Sequence, residues 1–396
     1  MKVRKAVWVG LFTAFIATSW LGGQVRESLA QTRPSASSSE AANASPRKER
    51  VPRKESELAE NRYTAGLVAG PPHSTDFAIA QEIAAVLASG QETGPHGEMA
   101  LRVLPMLGNG GTRNILDTLT LAGADMAIAP VVLVDRLRNA KTFGKIRDKL
   151  VYIVPLFVEE FHLLARPEIE SVADLAGKTV SLGEEGSSSA VLGREILNGM
   201  DAKISEVNLP LDAALDGMRK GNISATLLVS GKPVDALRHH AQGDGIHFLP
   251  IPYSPALQQD YVPATLSHED YSDLIGAGES VDTIATRSAL FAYNWPNRSE
   301  RYRLMELFVQ TLFSRFPEFL GDAHHPKWRE VNLAAQLPGW QRFRAAERWL
   351  QRQPGGEAAL RNAFGRFLQE KSVGNLPNRE ELFRQFMRWR ERKQDR

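Results

Sequence analysis

Short apolar segments typical of β-strands alternate with amphipathic segments typical of helices from residue 62 to about residue 295. "YTAGLVAG" is followed by "TDFAIAQEIAAVLASG", and "ALRVLPML" is followed by "TRNILDTLTLAG". This alternation predicts mostly parallel sheets covered by helices, an α/β fold. Ligands of such folds bind outside the carboxyl ends of the strands, where loops lead into helix N-termini.

The N-terminus carries an export signal. Lys2, Arg4 and Lys5 precede an apolar run over 6–21, and the small-x-small sequence "SLA" follows at 28–30. This pattern predicts a secretory signal peptide over 1–30, with an uncleaved signal anchor as the alternative. Residues 31–60 are polar and rich in Ser and Pro, which predicts a disordered linker. We therefore expect a periplasmic protein, with a possible tether to the inner membrane.

Composition excludes several classes of function. The net charge is +2 and there is no cysteine, so nothing favours nucleic-acid binding, and disulfides, thiolate metal sites and cysteine nucleophiles are absent. The positive charge is uneven, because residues 297–396 hold 20 Lys and Arg against 12 Asp and Glu. We expect residues 321–396 to form a basic, helical C-terminal extension.

Several stretches imitate catalytic motifs and fail their physical requirements. "GNGG" at 108–111 begins like a dinucleotide fingerprint, but Arg113 occupies the third glycine position and would block close packing of helix and strand. "AGKTV" lacks the first glycine of a phosphate-binding loop and leads into a strand. There is no G-x-S-x-G sequence for a serine nucleophile.

Histidines and paired carboxylates also lack a catalytic pattern. The pairs His239–His240 and His324–His325 are adjacent, so on a helix they point about 100° apart and do not chelate together. Exposed helix histidines are the favoured interpretation. Glu159–Glu160 and Glu184–Glu185 could act as acid and base, but loop or strand-edge charges are favoured. We predict no enzyme activity, no metal and no cofactor.

Four polar loops follow predicted strands: "GPPHSTDF" (70–77), "GNGGTRN" (108–114), "GEEGSSS" (183–189) and "VSGKP" (229–233). Serine and threonine at such positions cap helices, which is worth about 1 kcal/mol each, and capping alone explains any single loop. Free helix N–H groups there also attract carboxylate or phosphate. The four loops could therefore converge on one small anion.

Three stretches resemble the TAXI-type solute receptors of TRAP transporters, which are exported bacterial binding proteins. They are 155–197 ("PLFVEEFHLLARPEIESVADLAGKTVSLGEEGSSSAVLGREIL"), 217–233 ("GMRKGNISATLLVSGKP") and 110–130 ("GGTRNILDTLTLAGADMAIAP"). The similarity extends from about residue 63 to residue 312. It implies a type II periplasmic-binding-protein fold, in which two lobes, each with a mostly parallel sheet flanked by helices, close over a solute.

The resemblance also implies a domain order and a ligand site. We expect lobe 1 at 61–157, lobe 2 at 158–257, a return to lobe 1 at 258–320, and the extension at 321–396. The hinge is expected near 155–160 on the outward pass and near 254–263 or later on the return. The ligand contacts carried over by position are Ser74, Thr75, Phe77, Thr112, Asn114, Ser187, Ser189, Gly231 and Lys232.

Departures from the family pattern bear on the ligand. Lys232 replaces an aromatic residue and, with Arg113, suits an anion, whereas Asp76 and the pair Glu184–Glu185 could meet an ammonium group. The expected solute is a small carboxylate, either an amino acid such as glutamate or a dicarboxylate, delivered to TRAP-type permease subunits. Pro130 stands where the family commonly has glutamine, and it offers neither an amide side chain nor a backbone donor.

Two other functions remain open at this point. A membrane-anchored sensor or scaffold of the same fold could act through its basic C-terminal tail, binding a protein or anionic lipid. An enzyme on the same fold would need a reactive constellation, and the sequence contains none that meets its requirements.

Overall fold

The computed structural model describes residues 63–89, 101–140, 146–238 and 245–353. The predicted signal segment, the linker, the pair His239–His240 and the extension beyond residue 353 lie outside the described residues. Within those ranges, no helix is both long and apolar enough to cross a membrane.

Ten β-strands form one continuous sheet in the described part of the chain. They are β1 Thr64–Val68, β2 Arg102–Met106, β3 Met126–Pro130, β4 Leu150–Ala165, β5 Thr179–Ser181, β6 Ser205–Val207, β7 Ala225–Ser230, β8 His247–Phe248, β9 Val262–Ser267 and β10 Ser280–Tyr293. The order across the sheet is β2-β1-β3-β10-β4-β7-β5-β6, with β8 beside β4 and β9 beside β10.

Helices connect the strands as the alternating sequence pattern predicts. They are α1 Thr75–Ala88, α2 Thr112–Thr120, α3 Val131–Asn139, α4 Ile146–Lys149, α5 Ser188–Gly199, α6 Leu211–Arg219, α7 Asp235–Arg238, α8 Glu300–Ser314 and α9 Arg344–Arg352. Short 3₁₀ helices add single turns at Val172–Leu175, Pro255–Leu257, Phe316–Leu320 and Pro326–Glu330.

Two halves of the sheet make two lobes. Strands β1, β2 and β3 pair in parallel in the first lobe, and β5, β6 and β7 pair in parallel in the second. The long strands β4 and β10 are antiparallel to each other and run through both lobes, pairing from Ala285 opposite Glu160 to Tyr293 opposite Leu150. This topology confirms the predicted fold class, a two-lobed α/β fold of the type II periplasmic-binding kind.

The apolar residues on both sides of Glu159 and Glu160 belong to the single 16-residue strand β4. Glu159 and Glu160 interrupt the apolar run and were expected to be loop or edge charges. That expectation is wrong, because each is about 1% exposed in the middle of β4. The charge pair therefore marks a buried polar site, rather than a break between strands.

Residues 321–352 pack into the first lobe's core. Trp328 and Phe343 are about 1% exposed among the buried residues of that core, beside Leu67 and Phe308. Much of this segment is not helical, and Pro338 lies in its irregular part. Within the described residues, the predicted helical extension contains the helix α9 and one 3₁₀ turn, and the domain boundaries inferred from sequence stay predictions.

The histidine pair in the same segment is not on an exposed helix, as had been expected. His324 and His325 are half-buried just before the 3₁₀ turn Pro326–Glu330. The ring Nε2 of His325 lies 3.2 Å from the carbonyl oxygen of Pro233, and burial lowers the pKa of this histidine. This contact joins the C-terminal segment to the loop after β7.

A buried ion pair ties the same segment to the strand shared by the lobes. The Lys327 amine donates to Glu160 over 2.6 Å and to Glu330 over 2.7 Å, and the backbone N–H of Lys232 donates to Glu160 over 2.9 Å. Burial raises the pKa of Glu160, and the Lys327 charge opposes that rise. The carboxylate is thus held by donors from two distant parts of the chain.

Replacing Lys327 with Met should strongly destabilise the protein, because Glu160 would remain buried without its counter-ion. We expect a loss of about 3–5 kcal/mol in the free energy of unfolding, measured by urea denaturation at pH 7. Lys220→Met is the matched control, since Lys220 pairs with Asp216 on the exposed surface of α6, and it should cost less than about 1 kcal/mol. Equal losses in both variants would contradict the structural role of the buried pair.

Candidate ligand-binding cavity

Helix N-termini from both lobes face one cavity of about 220 Å³. Helix α1 begins after Ser74, whose hydroxyl oxygen accepts the N–H of Phe77 over 3.2 Å. Helix α5 begins after Ser187, whose hydroxyl oxygen accepts the N–H of Ala190 over 3.1 Å. Helix α6 begins at Leu211, which also lines the cavity. Helix N-termini carry partial positive charge and favour anionic groups.

The wall of the cavity is formed by loops and strand ends of both lobes. The first lobe contributes Pro71, Pro72, His73, Ser74, Asp76, Asn109 and Gly110. The second contributes Gly183, Glu184, Ser187, Ser188, Ser189, Pro210, Leu211, Asp212 and Thr226 to Ser230. A cavity of this size could hold a small solute.

The two lobes touch each other beside the cavity. The backbone N–H of Thr75 donates to the Ser230 hydroxyl over 3.1 Å, and the Thr75 hydroxyl donates to the carbonyl oxygen of Gly231. A Cβ atom on Gly111 would lie 2.3 Å from the carbonyl oxygen of Gly186. Any side chain at Gly111 would therefore hold the lobes apart, so the glycine-rich loop allows close approach of the lobes.

Three of the residues predicted from sequence line the cavity: Ser74, Ser187 and Ser189. The Ser189 hydroxyl oxygen also accepts the N–H of Val229 over 2.9 Å, which joins α5 to β7. Thr75 and Gly231 are brought together as well, but in the contact between the lobes rather than in the wall.

The other four predicted residues lie outside both the wall and the contact between the lobes. Phe77 packs against the first lobe's core, and Thr112 is the first residue of α2. Asn114 is fully buried, and its amide nitrogen donates to the carbonyl oxygens of Ala69 over 2.8 Å and Ile128 over 3.2 Å. The Asn114 side chain therefore links the residue after β1 to the middle of β3. The fourth residue is Lys232, whose side chain bonds to other protein groups.

The two cations that sequence analysis offered to an anionic ligand are paired with protein carboxylates. The Lys232 amine donates to Asp270 and to the carbonyl oxygen of Thr265, each over 2.7 Å. The Arg113 guanidinium donates to Asp117 over 2.6 Å on the exposed face of α2. Among the described residues, none that lines the cavity is Lys or Arg.

The charged residues that do line the cavity are mostly acidic. Asp76, Glu184 and Asp212 face it, together with His73. His73 and Asp212 lie 3.7 Å apart across the mouth, and their side chains are 58% and 74% exposed, so this contact contributes little. The sequence offered Asp76 and the pair Glu184–Glu185 to an ammonium group of the ligand, and Asp76 and Glu184 do line the cavity.

Asp76 is the most buried of the acids in the wall. It is the second residue of α1 and is 5% exposed, and one of its carboxylate oxygens has no hydrogen-bond partner within the described residues. Burial raises the pKa of Asp76 to about 7. Glu159 on β4 is buried nearby, and its pKa is raised well above its ordinary value by burial and by the charges of Asp76 and Glu160. The two acids therefore disfavour each other's ionisation.

The topology defines a protein with the two-lobed type II periplasmic-binding fold. Within that class, the chain belongs to the NMT1-like family, whose model matches residues 67–340. The match includes both lobes and reaches the first part of the C-terminal segment.

Solved structures with a similar fold are distant relatives. A mutant of ArgBP from T. maritima has 14% identity and a TM-score of 0.38, covering 69% of this chain and 98% of that chain. The amino acid ABC transporter substrate-binding protein AbpA from Streptococcus pneumoniae, bound to L-arginine, has 15% identity and a TM-score of 0.35, covering 73% and 98%. The OxyR regulatory domain of Pseudomonas aeruginosa has 13% identity and a TM-score of 0.34, covering 64% and 98%. Similarities this distant carry no argument about a ligand.

The buried acid should make the ligand-free protein less stable as pH rises. The pKa of Asp76 is raised from 3.8 to about 7, so its stabilising contribution is complete below pH 3.8 and is lost progressively as pH rises from there to about 7. Asp76→Asn removes this loss. The melting temperature of the variant should exceed that of the wild type by clearly more at pH 8, where the loss is complete, than at pH 5, where it is partial.

The control for this measurement is Asp216→Asn, which changes an exposed aspartate on α6. Its melting temperature should differ from the wild-type value by the same small amount at both pH values. An Asp76→Asn shift that is equal at pH 5 and pH 8 would contradict the raised pKa of Asp76.

Proposed function

We propose that the protein is an extracytoplasmic solute-binding protein that encloses a small carboxylate-bearing solute between its lobes and presents it to a TRAP-type membrane permease. One observation carries the proposal: a small cavity lies between lobes that contact each other through Thr75, Ser230 and Gly231. A solute in that cavity would be enclosed by loops of both lobes, and it could favour their closed arrangement.

The cavity offers groups suited to a carboxylate. The N-termini of α1 and α5 carry partial positive charge, and both face the cavity. Ser74 and Ser187 accept backbone N–H groups with their oxygens and can still donate their hydroxyl hydrogens to a ligand. Carboxylate binding at these positions therefore requires no Lys or Arg side chain.

The acidic wall favours an amino acid over a dicarboxylate. A second carboxylate would lie among Asp76, Glu184 and Asp212, where like charges disfavour it. An amino acid carries an ammonium group that these acids can meet, and in glutamate that group offsets the repulsion of the second carboxylate. The TRAP-type partner and the TAXI assignment depend on the resemblance of 110–130, 155–197 and 217–233 to that receptor family.

Lobe closure would bend the two strands that the lobes share. The predicted outward hinge, 155–160, lies in β4, and β10 pairs with that part of the strand. The register of this pairing shifts between Arg287 and Ala289, and such irregularities bend strands locally. The return hinge would therefore lie in β10, later than residues 254–263.

The alternative function, a sensor or scaffold, depends on a free basic tail at 321–396, and part of that tail is packed in the core. Residues such as Trp328 and Phe343 fix the described part of the C-terminal segment in the core. A tail that binds a protein or lipid would have to act mainly through residues 354–396.

A thermal-shift panel of amino acids, dicarboxylates and keto acids tests the proposal. We expect at least one carboxylate to raise the melting temperature of the mature protein in a concentration-dependent manner. Ser188→Leu should weaken that effect about tenfold or more in apparent affinity, because Ser188 lies beside Gly110 across the cleft and a larger side chain would oppose closure.

Ser205→Leu is the matched control, because Ser205 is exposed at the start of β6, and it should bind as the wild type does. Unchanged melting curves with every compound, in protein shown to be free of bound solute, would contradict the proposed function. So would equal affinities in the wild type and Ser188→Leu.

A further inference from the structure

We propose that Asp76 forms a subsite for a protonated amine or guanidinium group of the solute, an inference that rests on the proposed function of the same cavity. The solute would then carry both charges, with its carboxylate at the helix N-termini and its N–H donors at Asp76. Dicarboxylates and simple carboxylic acids would be poor ligands, and an organic cation bearing N–H groups would be recognised specifically.

The first support is the unsatisfied hydrogen-bonding capacity of Asp76. Its side chain is 5% exposed and lines the cavity, yet one carboxylate oxygen has no partner in the described ranges. A buried acceptor left without a donor destabilises the protein, and more so when it is charged. A ligand N–H at this position would supply the missing donor. A quaternary ammonium group has no N–H and would not.

The second support is the charge balance around the site. The nearby buried cation, Lys327, is bound to Glu160 and Glu330. Lys232 is bound to Asp270. Among the described residues, no cation forms a salt bridge with Asp76, and Glu159 on β4 adds a second buried acid whose titration is affected by the Asp76 charge. The positive charge that would favour an ionised Asp76 is therefore left for a ligand to supply.

The third support is that helix α1 holds Asp76 in a fixed position. Asp76 lies in the first turn of the 14-residue helix α1, two residues after the Ser74 cap and directly after Thr75, which contacts the second lobe. The carboxylate is thus fixed beside one of the two N-termini proposed to hold the solute's carboxylate. The Asp76 carboxylate could therefore accept from an ammonium group while the N-terminus of α1 holds a carboxylate. In an α-amino acid these two groups are close together.

Binding of a cation should also release a proton. Burial raises the pKa of Asp76 to about 7, and the bound cation stabilises the ionised carboxylate, so affinity should fall as pH drops below 7. Other titratable or charged groups around this position would contribute to the profile. They are His73, Glu184 and Asp212 in the wall and Glu159, Glu160 and Lys327 behind it.

Calorimetric titrations with matched pairs of compounds test the subsite. The pairs are L-glutamate with glutarate, L-alanine with propionate, and glycine with glycine betaine, and agmatine serves as a cation without a carboxylate. We expect at least one amino acid to bind about 10- to 100-fold more tightly than its partner without N–H groups. Asp76→Asn should abolish that ratio, whereas Asp216→Asn, on the exposed face of α6, should preserve it.

The wild-type protein provides a second measurement that needs no folded variant. Titrations at pH 6.5 in two buffers of different ionisation enthalpy should show release of a large fraction of a proton on binding of the preferred compound. Binding without proton release would overturn the subsite, as would an unchanged affinity ratio in Asp76→Asn.

The outcomes separate this inference from the proposed function. If glutarate or propionate binds as tightly as its amino partner, a carboxylate receptor stands and the cation subsite falls. If agmatine alone binds, and binds through Asp76, the subsite stands and the carboxylate requirement falls. If no compound binds to protein free of solute, both are overturned.

Discussion

The antiparallel pairing of β4 with β10 is the constraint on which the rest of the structure depends. These strands of 16 and 14 residues run through both lobes, so each lobe's parallel strands are attached to the same central pair. Placing Glu159 and Glu160 in β4 brings two acids into the interior, where Lys327 from the C-terminal segment neutralises Glu160. The cavity, the lobe contact and the proposed hinge all lie beside this pair of strands.

Much of the fold could be predicted from local sequence, because alternating strand and helix periods and helix caps are local signals. Ser74 and Ser187 were placed at helix N-termini by their positions in polar loops, and both are N-caps. The sequence argued against nucleotide binding by the glycines of "GNGGTRN", and a structural reason for these glycines appears only in three dimensions. Gly111 faces Gly186 of the other lobe, which is 75 residues away in sequence.

The site was predicted less well than the fold, because the partners of buried polar groups are distant in sequence. Glu160 looked like an exposed charge because its counter-ion, Lys327, is 167 residues away. Asn114 and Lys232 looked like ligand contacts, yet their side chains bind protein groups 45 and 38 residues away. In the sequence, Asp76 was one of several departures from a family pattern. The structure shows that it is buried in the cavity wall near a second buried acid, Glu159.

Lobe closure around a solute is the central claim, and a distance measurement between the lobes tests it most directly. The chain has no cysteine, so Leu107→Cys and Ala213→Cys, at exposed positions in the first and second lobes, would carry the only spin labels. The account predicts a broad or long distance distribution without solute and a single shorter distance once the most stabilising compound of the panel is added. An identical distribution with and without saturating solute would contradict it.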